Sequence, residues 1–199
     1  GGNLAYFHMS SSHLNYNTDD PLCVTKAVNV KFVSSESTAS SDCALFRFHN
    51  SINDSYLEPQ DPLRTELVHF TDSLVEFPTT ASPGIHSALE VSGSSSIRNI
   101  FVFANVNFTM VNHLVRFTGQ AELNGIVDFL SATATLLAPA LSFEPGRWRG
   151  SSANSINFTD TTLQGVEAPA FAMENRSGNY QGTVNLNGAR LLGFSQFAG

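Results

Sequence analysis

The sequence predicts an all-β chain, with a single-domain parallel β-solenoid (β-helix) as the first architecture and an antiparallel β-sandwich or jelly roll as the alternative. Three observations carry this. Apolar residues alternate at period two, and helical periodicity is nearly absent. Val, Ile, Phe and Thr dominate the apolar stretches, while Pro is scattered through the chain. A four-residue word, apolar–polar–apolar and usually ending in Phe, recurs twelve times.

One set of words reads Asn29–Phe32, Leu67–Phe70, Asn105–Phe108, Ile126–Phe129, Ser155–Phe158 and Thr183–Leu186. A second follows it at Leu45–Phe48, Leu74–Phe77, Leu114–Phe117, Ala140–Phe143, Ala170–Met173 and Leu191–Phe194. Residues i and i+2 of a strand share a face, so each word buries its second and fourth residues and turns its third outward. The third position is polar in ten of the twelve words, Ala172 and Gly193 being the exceptions. Most of the 16 phenylalanines thereby become inward strand residues.

In the solenoid, the words stack in parallel, each coil needing its neighbours to bury its apolar face. Moving Leu45–Phe48 and Ala88–Val91 into the row of the first-set words makes its early spacings 16, 22, 21 and 17. In the sandwich, close words pair as hairpins. Thr71-Asp72-Ser73 would then join Leu67–Phe70 to Leu74–Phe77, while Asn187-Gly188 and Asn124-Gly125 supply two-residue hairpin turns. Ser/Gly/Pro/Asn/Asp-rich segments at 34–42, 50–62, 78–85, 93–96 and 144–154 read as loops. Residues 1–22 are less regular and read as an N-terminal arm or cap, ahead of a repetitive β domain over 23–199.

Composition sets the class. The 199 residues carry 10 Lys+Arg against 17 Asp+Glu, a net charge of −7, and only Lys26 and Lys31 are lysines. An acidic chain with scattered arginines lacks the basic patch that nucleic acid or an anionic membrane requires. Hydrophobic content of 42% is too high for disorder, and no apolar run reaches the length of a membrane span. Gly1-Gly2, with no initiator Met and no leader, reads as a processed product or excised segment. The Ser/Thr/Asn-rich, Lys-poor surface points to an extracellular, cell-surface or virion-surface protein.

Cys23 and Cys43 are either one disulfide or two buried thiols, and no metal-ligand spacing accompanies them. Glycosylation candidates are Asn53, Asn107, Asn157 and Asn175. With 17 Asn and 39 Ser+Thr in 199 residues, 17 × 39/199 gives about 3.3 such sequons by chance. Four is not an enrichment.

Phosphate-loop, nucleophile-elbow and zinc-protease motifs are missing, and the six histidines show no ligand spacing, so neither cofactor nor metal is expected. Stacking the first set of words lines up Lys31, His69, Asn107, Asp128, Asn157 and Asn185 as an outward polar row able to bond sugar hydroxyls. Any soluble sheet also needs such a polar face. The only Trp, Trp148, sits between Arg147 and Arg149 in a Gly/Pro turn and is a candidate anchor for a sugar ring or a protein partner.

Asn17-Thr18-Asp19-Asp20 resembles the Asn-Thr-Asp motif of the polygalacturonase family. The resemblance implies a right-handed parallel β-helix whose clustered aspartates work as acid and base, with Asp19 and Asp20 as matching positions; apart from it, Asp128 is a further carboxylate candidate. It covers four residues, and the family's Gly-His-Gly and Arg-Ile-Lys motifs are absent. The chain as a whole is similar to β-helical surface proteins in general. The expected function is therefore a secreted or surface-displayed adhesin or fibre component. It would present a rigid face to a carbohydrate or protein partner, or self-assemble into an oligomer or fibre. A polysaccharide-active glycosidase or lyase and a viral coat or lectin-like sandwich module are the alternatives.

Overall fold

The computed structural model describes residues 5–8, 25–28, 31–33, 43–49, 52–53, 66–77, 84–97, 100–123, 125–144, 155–165, 168–173 and 182–198. Among them every regular element is a strand. The chain opens with β1 (Ala5–His8), β2 (Thr25–Val28), β3 (Lys31–Val33), β4 (Cys43–His49) and β5 (Ile52–Asn53). A second pass follows as β6 (Glu66–Glu76), β7 (His86–Ser92) and β8 (Ser96–Ile97), and a third as β9 (Ile100–Val111), β10 (His113–Thr118) and β11 (Glu122–Leu123). Three more passes are β12 (Ile126–Leu130), β13 (Thr133–Leu136) and β14 (Leu141–Glu144), then β15 (Ser155–Thr159), β16 (Thr162–Gln164) and β17 (Pro169–Met173), then β18 (Thr183–Asn187), β19 (Arg190–Leu192) and β20 (Gln196–Ala198).

Each pass lays its strands beside those of the previous pass, always in parallel. A seven-stranded sheet runs β1-β4-β7-β10-β14-β17-β20, and a short three-stranded sheet runs β5-β8-β11. The ten-stranded sheet has two legs. β2, β12, β15 and β18 form the first and β3, β13, β16 and β19 the second, while β6 and β9 are long enough to span both. The antiparallel alternative is thereby corrected: Leu67–Phe70 and Leu74–Phe77 are two halves of β6, and Thr71-Asp72-Ser73 is a bend within it. Leu45–Phe48 and Ala88–Val91 lie side by side, with Phe46 beside Leu89 and Phe48 beside Val91, but in the seven-stranded sheet next to Leu114–Phe117, so they do not enter the row of the first-set words.

The bend between the legs explains what looked like a hairpin signal. Asp72, Asn105, Ser131 and Asp160 occupy successive bends with φ of 50°, 52°, 50° and 49°, and Gly188 completes the column at 69°. Left-handed backbone is costly for most L-residues but tolerated by Asn and Asp, whose short polar side chains bond locally. Here Asn105 Nδ2 donates to Asp72 Oδ1 at 2.7 Å. Asn187-Gly188 is therefore the same parallel bend one pass later. The Asp160 carboxylate occupies the place where a Cβ on Gly188 would stand. Gly188→Ala should cost about 1–2 kcal/mol through the left-handed φ alone, with the collision against Asp160 adding to it. Urea unfolding measures this, and an unchanged midpoint would mean that the bend relaxes elsewhere.

The core is built from the second and fourth residues of the words, as the alternation requires. Among the described residues, the eleven largest fully buried side chains are all Phe. Phe103, Phe129 and Phe158 lie one above another in the ten-stranded sheet, with centroid separations of 5.1 and 5.2 Å and interplanar angles of 11° and 8°. Phe117 and Phe143 repeat this in the seven-stranded sheet at 5.0 Å and 2°. One hydrophobic cluster spans both sheets, from Leu45 through Phe103 and Phe129 to Phe171. The last word of each set departs from the pattern: Leu186, the fourth residue of Thr183–Leu186, is exposed, as is Leu192, the second of Leu191–Phe194, where Gly193 bends at φ 74° and the strand ends.

Candidate functional site

The outward row divides in two. In the first leg, parallel register aligns Lys26, His69, Val102, Asp128, Asn157 and Asn185. In the second leg it aligns Lys31, Leu74, Asn107, Thr133, Thr162 and Arg190. Lys31 and Asn107 therefore do not belong with Asp128, which corrects the single stripe read from the words. The physical reason is the length of β9: its first half, Ile100–Ala104, pairs with β12, and the word Asn105–Phe108 falls in the bend and the second leg. Phe101 and Phe103 already formed the equivalent word.

In the first leg the side chains are committed to one another. Asn157 Nδ2 donates to Asp128 Oδ1 at 2.5 Å, 29 residues away, and Asn185 Nδ2 donates to Asn157 Oδ1 at 2.7 Å, 28 residues away. Stacked strands hold identical positions about 4.8 Å apart, a spacing that side-chain amides bridge. The result is a hydrogen-bonded ladder that ends on the Asp128 carboxylate. Its donors serve the ladder first. Asn157→Ala removes both rungs at once and should cost about 1–2 kcal/mol, against under about 1 kcal/mol for Asn185→Ala at the exposed end. Thermal unfolding of the two variants tests this, and an equal effect of both would contradict a ladder anchored at Asp128.

Asp128 is also the described member of the acid/base candidates. Its row neighbours are Val102 and Asn157, so the row brings it no second carboxylate. Glycoside cleavage needs two, about 5–9.5 Å apart. Asp19 and Asp20 lie outside the described residues, as do Arg147, Trp148, Arg149, Asn175 and Cys23. Asn53 closes β5 and Cys43 opens β4. Among the described residues no three His, Cys, Asp or Glu side chains come together, and no helix is long and apolar enough to cross a membrane.

The second leg is open. Asn107, Thr133, Thr135, Gln164 and Arg190 are exposed on its outer face, and Thr133 Oγ1 donates to Asn107 Oδ1 at 3.0 Å. Four of these five side chains are uncharged, and their backbone positions are held at strand spacing. Thr133-Ala134-Thr135 carried the signal: strict alternation of polar with small apolar residues. It was missed because the four-residue word was defined by a terminal Phe.

The seven-stranded sheet differs sharply. β7 is buried along its whole length, on both faces. Its outward-facing Glu90 lies between Arg47 and Arg116 of the flanking strands, in register with both. Arg47 Nη2 donates to Glu90 Oε2 at 3.0 Å, and Arg116 Nη1 stands 3.5 Å from the same oxygen. Next in the row, Ser142 is fully buried. Arg47 and Arg116 take the third place of their words and Glu90 the third place of Ala88–Val91, but only the register sets them side by side.

Comparison with family models, with curated proteins and with solved structures finds no match for the chain.

Proposed function

We propose that the chain is a parallel β-solenoid that acts by display: a secreted or surface-exposed structural or adhesive protein whose binding face is the second leg of the ten-stranded sheet. One contrast carries the reading. The outer side of the seven-stranded sheet is buried at Glu90 and Ser142, whereas Asn107, Thr133, Thr135, Gln164 and Arg190 stay exposed. An array of hydroxyl and amide groups on a paired sheet meets a partner's hydrogen-bonding groups at reduced ordering cost, because its backbone is already held and Thr133 is already tied to Asn107. The solenoid reading is supported by strand orders that follow the chain in all three sheets and by pairing that is parallel throughout.

Such a face suits a carbohydrate or a polar protein surface. A glycan array and a panel of extracellular proteins, probed with the whole chain and with Thr133→Arg/Thr135→Arg, test the proposal. Retention on at least one ligand, reduced roughly tenfold or more by the double variant, is the expected result, since an unpaired buried polar group costs about 1–3 kcal/mol. Far-UV circular dichroism checks that the variant keeps its strands. Retention that the double variant leaves untouched would move binding away from this face.

A further inference from the structure

We draw no further inference here: the strongest candidate, the apolar patch that Leu186, Leu192 and Phe197 expose at the free edges of β18, β19 and β20, carries nothing because nothing in the structure shows what covers it.

Discussion

Phe129→Ala should destabilise the protein by about 3–5 kcal/mol. Phe129 is the middle ring of three, stacked on Phe103 at 5.1 Å and on Phe158 at 5.2 Å, and Phe108 meets it edge-on at 6.2 Å. It is fully buried. Truncation removes a large apolar side chain and leaves a void that neighbours cannot refill. The rings above and below are fixed at the strand spacing, and sliding either inward would break register along a whole sheet. The cost falls at the upper part of the range for that reason. Phe197 supplies the comparison: it is 56% exposed and touches Phe171 edge-on at 5.1 Å. Its replacement by Ala should cost about 1 kcal/mol, the worth of one aromatic pair. Urea denaturation of the two variants measures both values. A loss below 1 kcal/mol for Phe129→Ala would mean that the column is not the core of the fold.

Much of the backbone follows from period two alone. Wherever a word places Phe or Val at its second and fourth positions, as at Val68 and Phe70 or Val127 and Phe129, the strand buries those two and turns the third residue out. Burial depends only on local alternation and on there being a core to face. Pairing depends on more. Leu74–Phe77 runs on past Leu67–Phe70 through a left-handed bend at Asp72 instead of folding back on it. Asp tolerates both a hairpin turn and a left-handed bend, so composition cannot choose between them. The same ambiguity hides in Asn187-Gly188.

The site was less legible than the fold. The ladder through Asp128, Asn157 and Asn185 could be lined up because all three take the third place of words with identical spacing to the following Phe or Leu. Lys31 and Asn107 were drawn into the same row by an identical local pattern, and only the register of β9 against β12 and β13 separates them. Register is a long-range property, set by which inward residues stack across passes 26 to 29 residues apart. Burial of the outer side of the seven-stranded sheet was equally hidden. An Arg or Glu at an outward position reads as solvated until its neighbours on the adjoining strands are known.

That burial gives Glu90 the second large expected effect. Glu90→Ala should cost about 3 kcal/mol, the lower end of the range for breaking a buried ion pair. Side-chain exposure is 18% for Arg47, 7% for Glu90 and 11% for Arg116, so two guanidinium groups share one carboxylate with little water at hand. Arg47 Nε finds no acceptor among the described residues, which leaves Glu90 as the described group that neutralises it. Removing the carboxylate strands the Arg47 charge against a packed sheet face and takes one ion-pair partner from Arg116. The penalty stays near the lower end because each arginine keeps some solvent contact. Two further variants separate charge from volume. Glu90→Gln preserves the shape but supplies no charge, so it should recover only part of the loss. The triple change Arg47→Met/Glu90→Leu/Arg116→Met removes every charge together and should come back to within about 1–2 kcal/mol of the parent, since a packed apolar trio avoids the desolvation cost. Chemical denaturation at low and at high salt reads all three. A Glu90→Ala penalty below 1 kcal/mol, or one that added salt abolishes, would place the triad in solvent and not under cover.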